Sequence, residues 1–589
     1  MKPIYVLGTG LSHDGSACLL KDGRVCVAIE KERVTRIKHD GGNDTAAIQY
    51  VLDAEGIRFS DLALVVQNSY TSMLKFADHW WEGPRLLRDE VPVATISHHL
   101  AHAYSALALC PFEESAVLVI DGCGNAFDDC VDLDGAAIPE MPQGDTAHLW
   151  HEKDSYYLAR GAAITPLFKD FSPWGTGIRE YPMHPPTTRH SIGGLYAAAS
   201  RYVFRGLEDP GKLMGLAPYG RPGMFDFEAF ELKEGRAFVR YDWMENFRTP
   251  ARSHEEFKER FQDYADIAWH IQREVERAIL YIVRARHAAH PHRNLCYAGG
   301  VALNAVANRR LLAEGPFERV FIQPAAGDNG IALGCAFYGW SQILKQSRQP
   351  HQGSVYFGRN YAANSIQPKL RQYAELLGAS ACADPAAEAA SHLADGKIVG
   401  WFQGGSEFGP RALGNRSILA DARIADIRDR INSKVKFRED FRPFAPSVLA
   451  EDYSVFFDGT TESPHMLLTA EVKPQWREVI PGVIHKDHSA RTHTVTRDSN
   501  PLFYELLRRF KEKTGIGVLL NTSFNRRGMP IVETPEDAIV MFLYSAIDVL
   551  ILGNHVVRKP ADFEARMAKF NAMVAQHSAQ RTFQKALNT

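Results

Sequence analysis

The sequence predicts an α/β protein in two parts, of which the first contains a duplicated unit. Residues 4–29 consist of short apolar runs separated by glycine-containing turns, and residues 116–135 repeat that order. Residues 295–304 and 320–338 each begin with an apolar run and continue through glycines into a helical pattern. Strands that alternate with helices are typical of α/β folds.

A polar, proline-containing stretch near residue 350 separates this part from a second part with different sequence motifs. We therefore predict domains at 1–350 and 351–589. In the first part, each duplicated unit is predicted to hold a strand, a glycine-rich turn and a further strand. The predicted strands lie at 4–8, 17–20 and 25–29, with an Asp-Gly hairpin turn between the last two, and at 116–120 and 130–135. Paired turns of this kind can hold phosphates across a cleft through backbone N–H groups. The alternative is that each turn only closes a hairpin.

The composition is that of an ordinary globular protein and excludes several classes of function. The chain has 589 residues, of which 45% are hydrophobic and 23% charged, with a formal net charge of −3. That charge gives no basis for a nucleic-acid or membrane surface, and no apolar run reaches the ~18 residues of a membrane span. The first strand is too short for a signal peptide. The eight cysteines include no CxxC pair, which favours a reducing, cytoplasmic setting.

A candidate metal site begins in the run 96–107, which suits a helix. Its His98 and His102 are four residues apart, so they share one helical face and can bind one transition-metal ion together. Asp121 and Asp328 each follow a predicted strand, where α/β proteins place ligands. The sequence leaves open that the histidines are core or surface residues and that Asp328 is only a helix N-cap.

The local structure of four other segments can also be predicted. Residues 140–200, rich in proline, glycine and histidine, are predicted to be an irregular insertion that shapes a substrate pocket. Residues 210–220 are predicted to form a glycine-spaced turn with one cation, Lys212. Residues 253–289 and the tail at 562–580 are predicted to be helical.

The second part contains a short segment with an excess of positive charge. Between residues 405 and 442 there are nine Lys or Arg and six Asp or Glu. This excess is too small for a nucleic-acid groove but suits one polyphosphate pocket, because arginines fork onto phosphate oxygens and lysine acts as a point charge. The alternative is a solvated, salt-bridged face, although the Pro-Phe-Ala-Pro run at 443–446 argues against a simple exposed helix.

Together these motifs resemble those of the NodU/CmcH-type O-carbamoyltransferases, a family with antibiotic and other natural-product tailoring members. The resemblance covers nearly the whole chain, because several separated motifs occur in the expected order. It implies a duplicated N-terminal domain of the actin/Hsp70/sugar-kinase type, similar to the tRNA threonylcarbamoyl transferase. It also implies a C-terminal α/β domain with a twisted sheet, similar to the threonylcarbamoyl-adenylate synthase.

The resemblance further implies roles for individual residues. Four of them match the family's metal ligands, and the usual metal is ferrous iron, with Mn²⁺ or Zn²⁺ as alternatives that such a site accepts. The metal ligands are His98, His102, Asp121 and Asp328, and the candidate general base is His13. Matches to the turns that contact adenylate are Lys212, Gly215, Gly299, Gly300 and Asn304. Matches to the anion site are Arg411, Arg416, Lys436, Arg438, Arg442, Arg491, Asn521, Ser523 and Asn525, with Lys436 and Arg442 assigned to catalysis.

The implied reaction has two stages. In the C-terminal part, carbamoyl phosphate is cleaved to carbamate and phosphate. Carbamate then attacks the α-phosphate of ATP, bound with Mg²⁺, to form carbamoyl-adenylate and pyrophosphate. In the N-terminal part, the metal polarises the carbamoyl carbonyl and His13 takes the proton of an acceptor hydroxyl. The implied partners are ATP, carbamoyl phosphate and a hydroxylated small molecule. The acceptor's identity and the oligomeric state are left open, with a homodimer as one arrangement.

Two other functions fit part of the sequence. A small-molecule kinase on the same actin-like fold explains the N-terminal glycine turns but gives no role to the histidine pair or to the basic segment. A non-enzymatic, nucleotide-gated binding protein of the Hsp70 type needs neither a metal nor carbamoyl phosphate. Modification of tRNA is disfavoured, because the sequence does not predict a strongly basic surface.

Overall fold

Three large β-sheets and one short hairpin organise the part of the chain that the structure describes. The structure is a computed structural model, and it describes residues 2–69, 86, 90–141, 144–173, 191–205, 210–240, 243–247, 250–351, 353–459 and 462–573. Two five-stranded sheets are built from strands that lie between residues 5 and 322, and a nine-stranded sheet from strands between residues 378 and 558.

The first sheet has the order β3-β2-β1-β4-β5. Its strands are β1 (Tyr5–Leu11), β2 (Ser16–Lys21), β3 (Arg24–Glu30), β4 (Leu62–Ser69) and β5 (Val93–Ile96). The first three strands pair antiparallel, whereas β4 pairs parallel to both β1 and β5. The predicted hairpin is confirmed, since Asp22 and Gly23 at its turn have the positive φ angles, 50° and 79°, that a two-residue connection requires.

The second sheet repeats this order and these strand directions, as β8-β7-β6-β11-β12. Its strands are β6 (Glu114–Ile120), β7 (Trp150–Arg160), β8 (Ala163–Pro173), β11 (Asn294–Ala298) and β12 (Arg319–Ile322), while β9 (Phe230–Lys233) and β10 (Arg236–Val239) form the separate hairpin. The predicted duplication and α/β class are therefore confirmed.

Two predictions about the chain between these strands are wrong. Residues 130–135 form turns, and the strand that pairs with β6 is β7. Much of 140–200, predicted to be irregular, is regular, because it contains β7, β8 and the start of a helix; residues 174–190 lie outside the described residues. The cause is that β7 and β8 bury lysines and carboxylates in ion pairs, as between Lys169 and Glu152, so their sequences lack an apolar pattern.

Nine α-helices precede residue 350 in the described chain. They are α1 (Lys31–Thr35), α2 (Thr45–Glu55), α3 (His98–Leu109), α4 (Ile192–Phe204), α5 (Pro210–Leu216), α6 (His254–Glu259), α7 (Phe261–Ala289), α8 (Ala305–Glu314) and α9 (Ile331–Tyr338). The helical prediction at 253–289 is confirmed by α6 and α7, whereas the predicted turn at 210–220 is wrong, because most of it is α5 and a following 3₁₀ turn.

The helices α3 and α9 occupy equivalent places in the duplication and pack against each other between the two sheets. A Cβ atom at Gly334 would lie 1.8 Å from the carbonyl oxygen of Ala101, so glycine is required for their close approach. This contact brings the N-terminal ends of both helices to one place.

The third sheet is mixed and has the order β13-β21-β20-β14-β15-β19-β16-β18-β17. Its strands are β13 (Gly378–Ala381), β14 (Val399–Phe402), β15 (Arg416–Asp421), β16 (Ala445–Leu449), β17 (Leu468–Glu471), β18 (Ser489–Val495), β19 (Val518–Ser523), β20 (Val549–Leu552) and β21 (His555–Arg558). Successive residues of β15 belong to different cores, Ile418 to one and Leu419 to the other, so both faces of the sheet are covered.

Helices cover this sheet, as an α/β domain requires. They are α10 (Ala363–Gln372), α11 (Pro385–Ala394), α12 (Ile427–Ile431), α13 (Tyr453–Phe456), α14 (Pro501–Thr514) and α15 (Pro535–Leu543). Residues 563–573 of the predicted tail helix are helical, and 574–580 lie outside the described residues. None of the described helices combines the length and the apolar composition needed to cross a bilayer.

A buried clamp, formed by Glu30 and Arg33, joins the two halves of the chain. The Gly409 N–H donates to Glu30 Oε1 at 2.6 Å, and Arg33 Nη2 donates to the Gly409 carbonyl oxygen at 2.5 Å. Glu30 and Arg33 also form an ion pair of 3.0 Å with each other. A Cβ at Gly409 would lie 3.0 Å from the Pro324 carbonyl oxygen, so this loop of the second half packs closely on the segment that leads to Asp328.

Candidate active site with two charged clusters

Four buried side chains of the first half converge on one point, and we call them the four-ligand cluster. They are His98, His102, Asp121 and Asp328. The two histidines lie in the first two turns of α3, Asp121 follows the end of β6, and Asp328 opens the 3₁₀ turn before α9. The duplicated fold therefore brings together all four residues that the sequence singles out.

The nitrogen and oxygen atoms of this cluster are spaced as a bound cation requires. His98 Nε2 lies 3.1 Å from both His102 Nε2 and Asp121 Oδ2. Asp328 Oδ1 lies 3.3 Å from His98 Nε2 and 3.4 Å from His102 Nε2. Tetrahedral ligands at ~2.1 Å from an ion are about 3.4 Å apart. Two imidazoles and two carboxylates therefore fit a first-row divalent metal.

The electrostatics of the cluster also favour a cation. Burial disfavours the imidazolium form of His98, yet Asp328 and Asp121 raise the pKa of its ring to about 10. Burial and repulsion from Asp328 oppose ionisation of Asp121, yet His102 and His98 hold its pKa below the usual range. Against burial, the histidines hold the pKa of Asp328 well below that range as well. Two carboxylates that stay ionised in a buried space create a negative potential that attracts a divalent ion.

His13 lies beside this cluster on its open side. Its Nδ1 is 3.2 Å from Asp328 Oδ2, and its Nε2 is 3.5 Å from Asp14 Oδ2. The side chain is 62% exposed, whereas that of Asp328 is 3% exposed. Desolvation lowers the pKa of His13, but Asp328 and then Asp14 raise it to about 10. A cation bound by Asp328 would offset the charge of that carboxylate and so favour the neutral His13 ring. His13 can thus contact a molecule that enters from solvent.

Five cationic side chains of the second half form what we call the basic cluster. They are Arg411, Lys436, Arg438, Arg442 and Arg491. Burial and then repulsion from Arg442 lower the pKa of Arg411 to about 10. Burial and the neighbouring arginines likewise hold the pKa values of Lys436 and Arg491 well below their usual ranges. The cluster concentrates positive charge that a polyphosphate would neutralise.

The Ser-x-Asn motif at the end of β19 positions the lysine of this cluster. Lys436 Nζ donates to the Ser523 carbonyl oxygen, lies 3.2 Å from Ser523 Oγ, and donates to Asn525 Oδ1 at 2.8 Å. Asn521, two residues earlier on β19, donates from Nδ2 to Ser447 Oγ at 2.9 Å. Asn521, Ser523 and Asn525 thus lie on one strand and the loop that follows it, and the last two fix Lys436.

Two arginines of the basic cluster have donors that the described residues leave unpaired. The Nε atoms of Arg411 and Arg491 are buried and have no hydrogen-bond partner in the described part of the chain. Buried donors without partners are costly, so these two side chains suit an anion that accepts their N–H groups. Arg411 Nη2 also lies 3.4 Å from the Leu303 carbonyl oxygen in the first half.

Arg416 is not brought into the basic cluster. It is fully buried at the start of β15, where Nη1 donates to the carbonyl oxygens of Gln403 at 2.7 Å and Asn415 at 3.1 Å. Its guanidinium lies 3.6 Å from the ring centroid of Phe402. These contacts hold the loop before β15, although Arg416 Nε, like those of Arg411 and Arg491, has no hydrogen-bond partner among the described residues.

The glycine turn after β11 lies between the two clusters. The Gly300 N–H donates to Asp121 Oδ1 at 2.8 Å, and Gly299 has a φ of 90° that lets the chain pass close to Ile120. At the other end of the turn, Leu303 accepts from Arg411. Asn304 caps α8 by accepting from the N–H of residue 307, which is the helix-capping role.

Lys212 and Gly215, on α5, face the second half. Lys212 Nζ lies 3.5 Å from Glu439 Oε1, and a Cβ at Gly215 would lie 3.5 Å from Pro443 Cδ. Arg527 Nη2 approaches the same Glu439 oxygen at 3.3 Å. The predicted adenylate-contacting residues of α5 therefore lie next to the segment that carries Lys436 to Arg442.

Sequence reasoning missed the residues that support the four-ligand cluster. Asn68 Nδ2 lies 3.1 Å from His98 Nδ1, and Asn125 and Glu152 contact the start of α3. A signal existed for Asn68, because it is a polar residue at the carboxyl end of a strand. For Glu152, inside a strand, the sequence gives no comparable signal.

Comparison with known proteins identifies the family. The family model described as carbamoyltransferase N-terminus matches residues 6–76 and 63–337, and that described as carbamoyltransferase C-terminus matches residues 390–559. Nodulation protein NolNO of Sinorhizobium fredii is 35% identical over 93% of this chain and 79% of its own length. Nodulation protein NolO of Bradyrhizobium diazoefficiens is 36% identical over 80% of each chain, and nodulation protein U of that species is 28% identical over 89% and 92%.

Solved structures are more distant. The crystal structure of full-length HypF in the phosphate- and nucleotide-bound form has a TM-score of 0.36 and 14% identity, over 59% of this chain and 56% of that one. The two family models together span most of the sequence and follow its two structural halves. The chain is therefore a member of the carbamoyltransferase family, and it is an enzyme that transfers carbamoyl groups.

Proposed function

We propose that the protein is an ATP-dependent O-carbamoyltransferase. In this proposal water cleaves carbamoyl phosphate to carbamate and phosphate, and carbamate then displaces pyrophosphate from ATP to form carbamoyl-adenylate. The carbamoyl group is finally transferred to a hydroxyl of a small-molecule natural product. One observation carries the proposal: a cation-attracting cluster and an anion-attracting cluster lie in one chain, joined by the turn from Gly299 to Leu303. A small-molecule kinase needs only one phosphate site and leaves the second cluster without a role.

The basic cluster is assigned to adenylate formation. The unpaired Nε donors of Arg411 and Arg491 would bind phosphate oxygens, and Lys436, fixed by Ser523 and Asn525, would neutralise charge that develops during attack on the α-phosphate. Preorganised contacts of this kind are typically worth ~10²–10³-fold in rate. Mg²⁺ would enter with ATP, since it binds chiefly through the substrate's phosphates.

The four-ligand cluster is assigned to transfer. His98, His102, Asp121 and Asp328 would hold ferrous iron, with Mn²⁺ or Zn²⁺ as alternatives. When bound, such an ion acts as a Lewis acid on a carbonyl oxygen. His13, exposed beside the cluster, would orient the acceptor hydroxyl and accept its proton, a contribution of typically ~10²–10⁴-fold. The products are a carbamate ester and AMP.

Isotope labelling tests this proposal. The purified protein is incubated with ¹⁴C-labelled carbamoyl phosphate and ATP, and the nucleotides are separated by chromatography. We expect a labelled adenylate and an equal amount of pyrophosphate, with neither product when ATP is omitted. Formation of ADP without a labelled adenylate would contradict the proposal and favour the kinase.

The acceptor class is tested separately. Hydroxylated natural products are supplied together with ATP and carbamoyl phosphate, and mass spectrometry detects the addition of one carbamoyl group. Carbamoylation of amines in preference to alcohols would contradict the assignment of an O-carbamoyltransferase.

A further inference from the structure

We propose that a buried network of Asn125, Glu152 and Lys169 positions the two histidines of the four-ligand cluster by holding the N-terminal end of α3. These are positioning residues, since they contact the helix backbone and each other. The inference rests on the metal-binding part of the proposed function and is independent of how carbamoyl-adenylate is made.

The first N–H groups of α3 are satisfied from outside the helix. Its N-cap residue, Ser97, makes no capping hydrogen bond within the helix, because its hydroxyl accepts from the Val131 N–H at 2.7 Å. Instead, the His98 N–H donates to Asn125 Oδ1 at 2.6 Å, and the His99 N–H lies 3.4 Å from Glu152 Oε2. A carboxylate at this end also suits the helix dipole. The histidine-bearing end of α3 is thus fixed by residues of the neighbouring sheet.

The same carboxylate fixes the loop that carries Asp121. The Asn125 N–H donates to Glu152 Oε2 at 3.0 Å. A Cβ at Gly124 would lie 2.6 Å from Glu152 Oε2 and 2.8 Å from His99 Cδ2, so only glycine permits this approach. Glu152 therefore sets the spacing between the loop of Asp121 and the helix of His98.

Lys169 holds Glu152 in place. Its Nζ lies 2.5 Å from Glu152 Oε1 and 2.6 Å from Asp132 Oδ2, and its side chain is 0% exposed. Tyr157 donates to the same Asp132 oxygen at 2.9 Å. The ammonium thus occupies the space where Asp132 and Glu152 would otherwise bind a cation with Cys130. The group is a support for the neighbouring cluster and not a second metal site.

Cobalt titration of variants tests this inference. Co²⁺ affinity is measured by competition with a chromophoric chelator, and the Co²⁺ absorption bands report its coordination. Support of a metal-bound histidine from outside the ligand set is typically worth ~10–100-fold in metal affinity. We therefore expect Glu152→Gln and Asn125→Ala to weaken binding by about that factor and to alter the absorption bands. Asn125→Asp, which keeps the acceptor oxygen, should bind Co²⁺ nearly as tightly as the wild type.

Lys153→Met is the matched control. Lys153 lies on the same strand as Glu152 and is equally buried, but its ion pair with Asp170, at 2.9 Å, is not part of the α3 support. We expect this variant to lose thermal stability while keeping its Co²⁺ affinity. Equal weakening in Lys153→Met and Asn125→Ala, or undiminished affinity in Asn125→Ala, would overturn the positioning role.

The outcome separates this inference from the proposed function. A wild-type protein that binds no Co²⁺ overturns both the metal site and its support. Stoichiometric Co²⁺ binding with the expected losses upholds the inference even if no carbamoyl-adenylate forms, and in that case only the proposed reaction fails. Because Asn125→Ala removes one side-chain acceptor and no charge, it keeps the test decisive if Glu152→Gln does not fold.

Discussion

The four-ligand cluster and the basic cluster are opposite in charge and similar in construction. In the first, Asp121 and Asp328 stay ionised in a buried space and attract positive charge. In the second, Lys436 and the arginines repel one another, and Arg411 and Arg491 retain buried donors without partners among the described residues. Each cluster therefore favours a ligand of opposite sign.

The opposite charges suggest that the two clusters serve different steps of one reaction. Anion recognition by arginines and lysine suits the phosphates of ATP and carbamoyl phosphate, and imidazole–carboxylate coordination suits a Lewis-acid metal at a carbonyl group. The turn from Gly299 to Leu303 contacts Asp121 at one end and Arg411 at the other, and so links the two clusters.

Loss of a ligand from the four-ligand cluster should abolish transfer. We expect His102→Ala to reduce transfer by roughly 10³-fold or more, because in the proposed reaction several kcal/mol of transition-state stabilisation would come from the metal. Saturating metal should stabilise the wild type by about 2.7 kcal/mol at 100 times Kd and have little effect on the variant. Thermal melts with and without metal measure this. His292→Ala, whose ring contacts Glu114 outside both clusters, is the control, and the same loss of metal-dependent stabilisation in that control would argue against the assignment.

Loss of the lysine from the basic cluster should stop adenylate formation. Lys436→Ala is expected to slow pyrophosphate release by ~10²–10³-fold, as for removal of a preorganised charge contact, while its metal content stays normal. Lys434→Ala, an exposed lysine two residues earlier, controls for the loss of charge. An equal effect of both substitutions on pyrophosphate release would show that general surface charge, and not this site, is responsible.

The clamp between the halves should matter more for the coupled reaction than for either step. Arg33→Lys keeps the charge but loses the forked contact with Glu30 and Gly409, so we expect about 1.5–3 kcal/mol lower stability by denaturant unfolding. Overall transfer should fall more than pyrophosphate release. Lys31→Arg, which alters a neighbouring lysine paired with Asp40, is the control. Parallel decreases in both activities would indicate simple unfolding.

The smallest expected effects separate two arginines of one segment. Arg411→Lys should raise KM for ATP about tenfold, since a bidentate contact becomes a point charge, with little change in Tm. Arg416→Lys should lower Tm with little change in KM, because Arg416 donates to backbone carbonyls. Steady-state kinetics and thermal melts of both variants measure this. A raised KM in Arg416→Lys together with a lowered Tm in Arg411→Lys would instead place Arg416 in the anion site.

The sequence predicted the parts of the fold and site that depend on short-range pattern. His98 and His102 share a helical face by spacing alone, and Asp121 is placed by the strand before it. It could not predict β7, whose polar side chains are buried in pairs such as Lys153 with Asp170, because that pairing requires contacts distant in sequence. It also could not separate Arg411 from Arg416, since only the fold shows that Arg411 lies near Arg442 and Arg491. Arg416 instead donates to the carbonyl oxygens of Gln403 and Asn415.

Supplying carbamoyl-adenylate directly tests the division between the two clusters. With synthetic carbamoyl-adenylate and an acceptor, Lys436→Ala should transfer the carbamoyl group at nearly the wild-type rate, and His102→Ala should not. With ATP and carbamoyl phosphate, His102→Ala should still release pyrophosphate. Comparable loss of both partial reactions in both variants would contradict the assignment of adenylate formation and carbamoyl transfer to separate clusters.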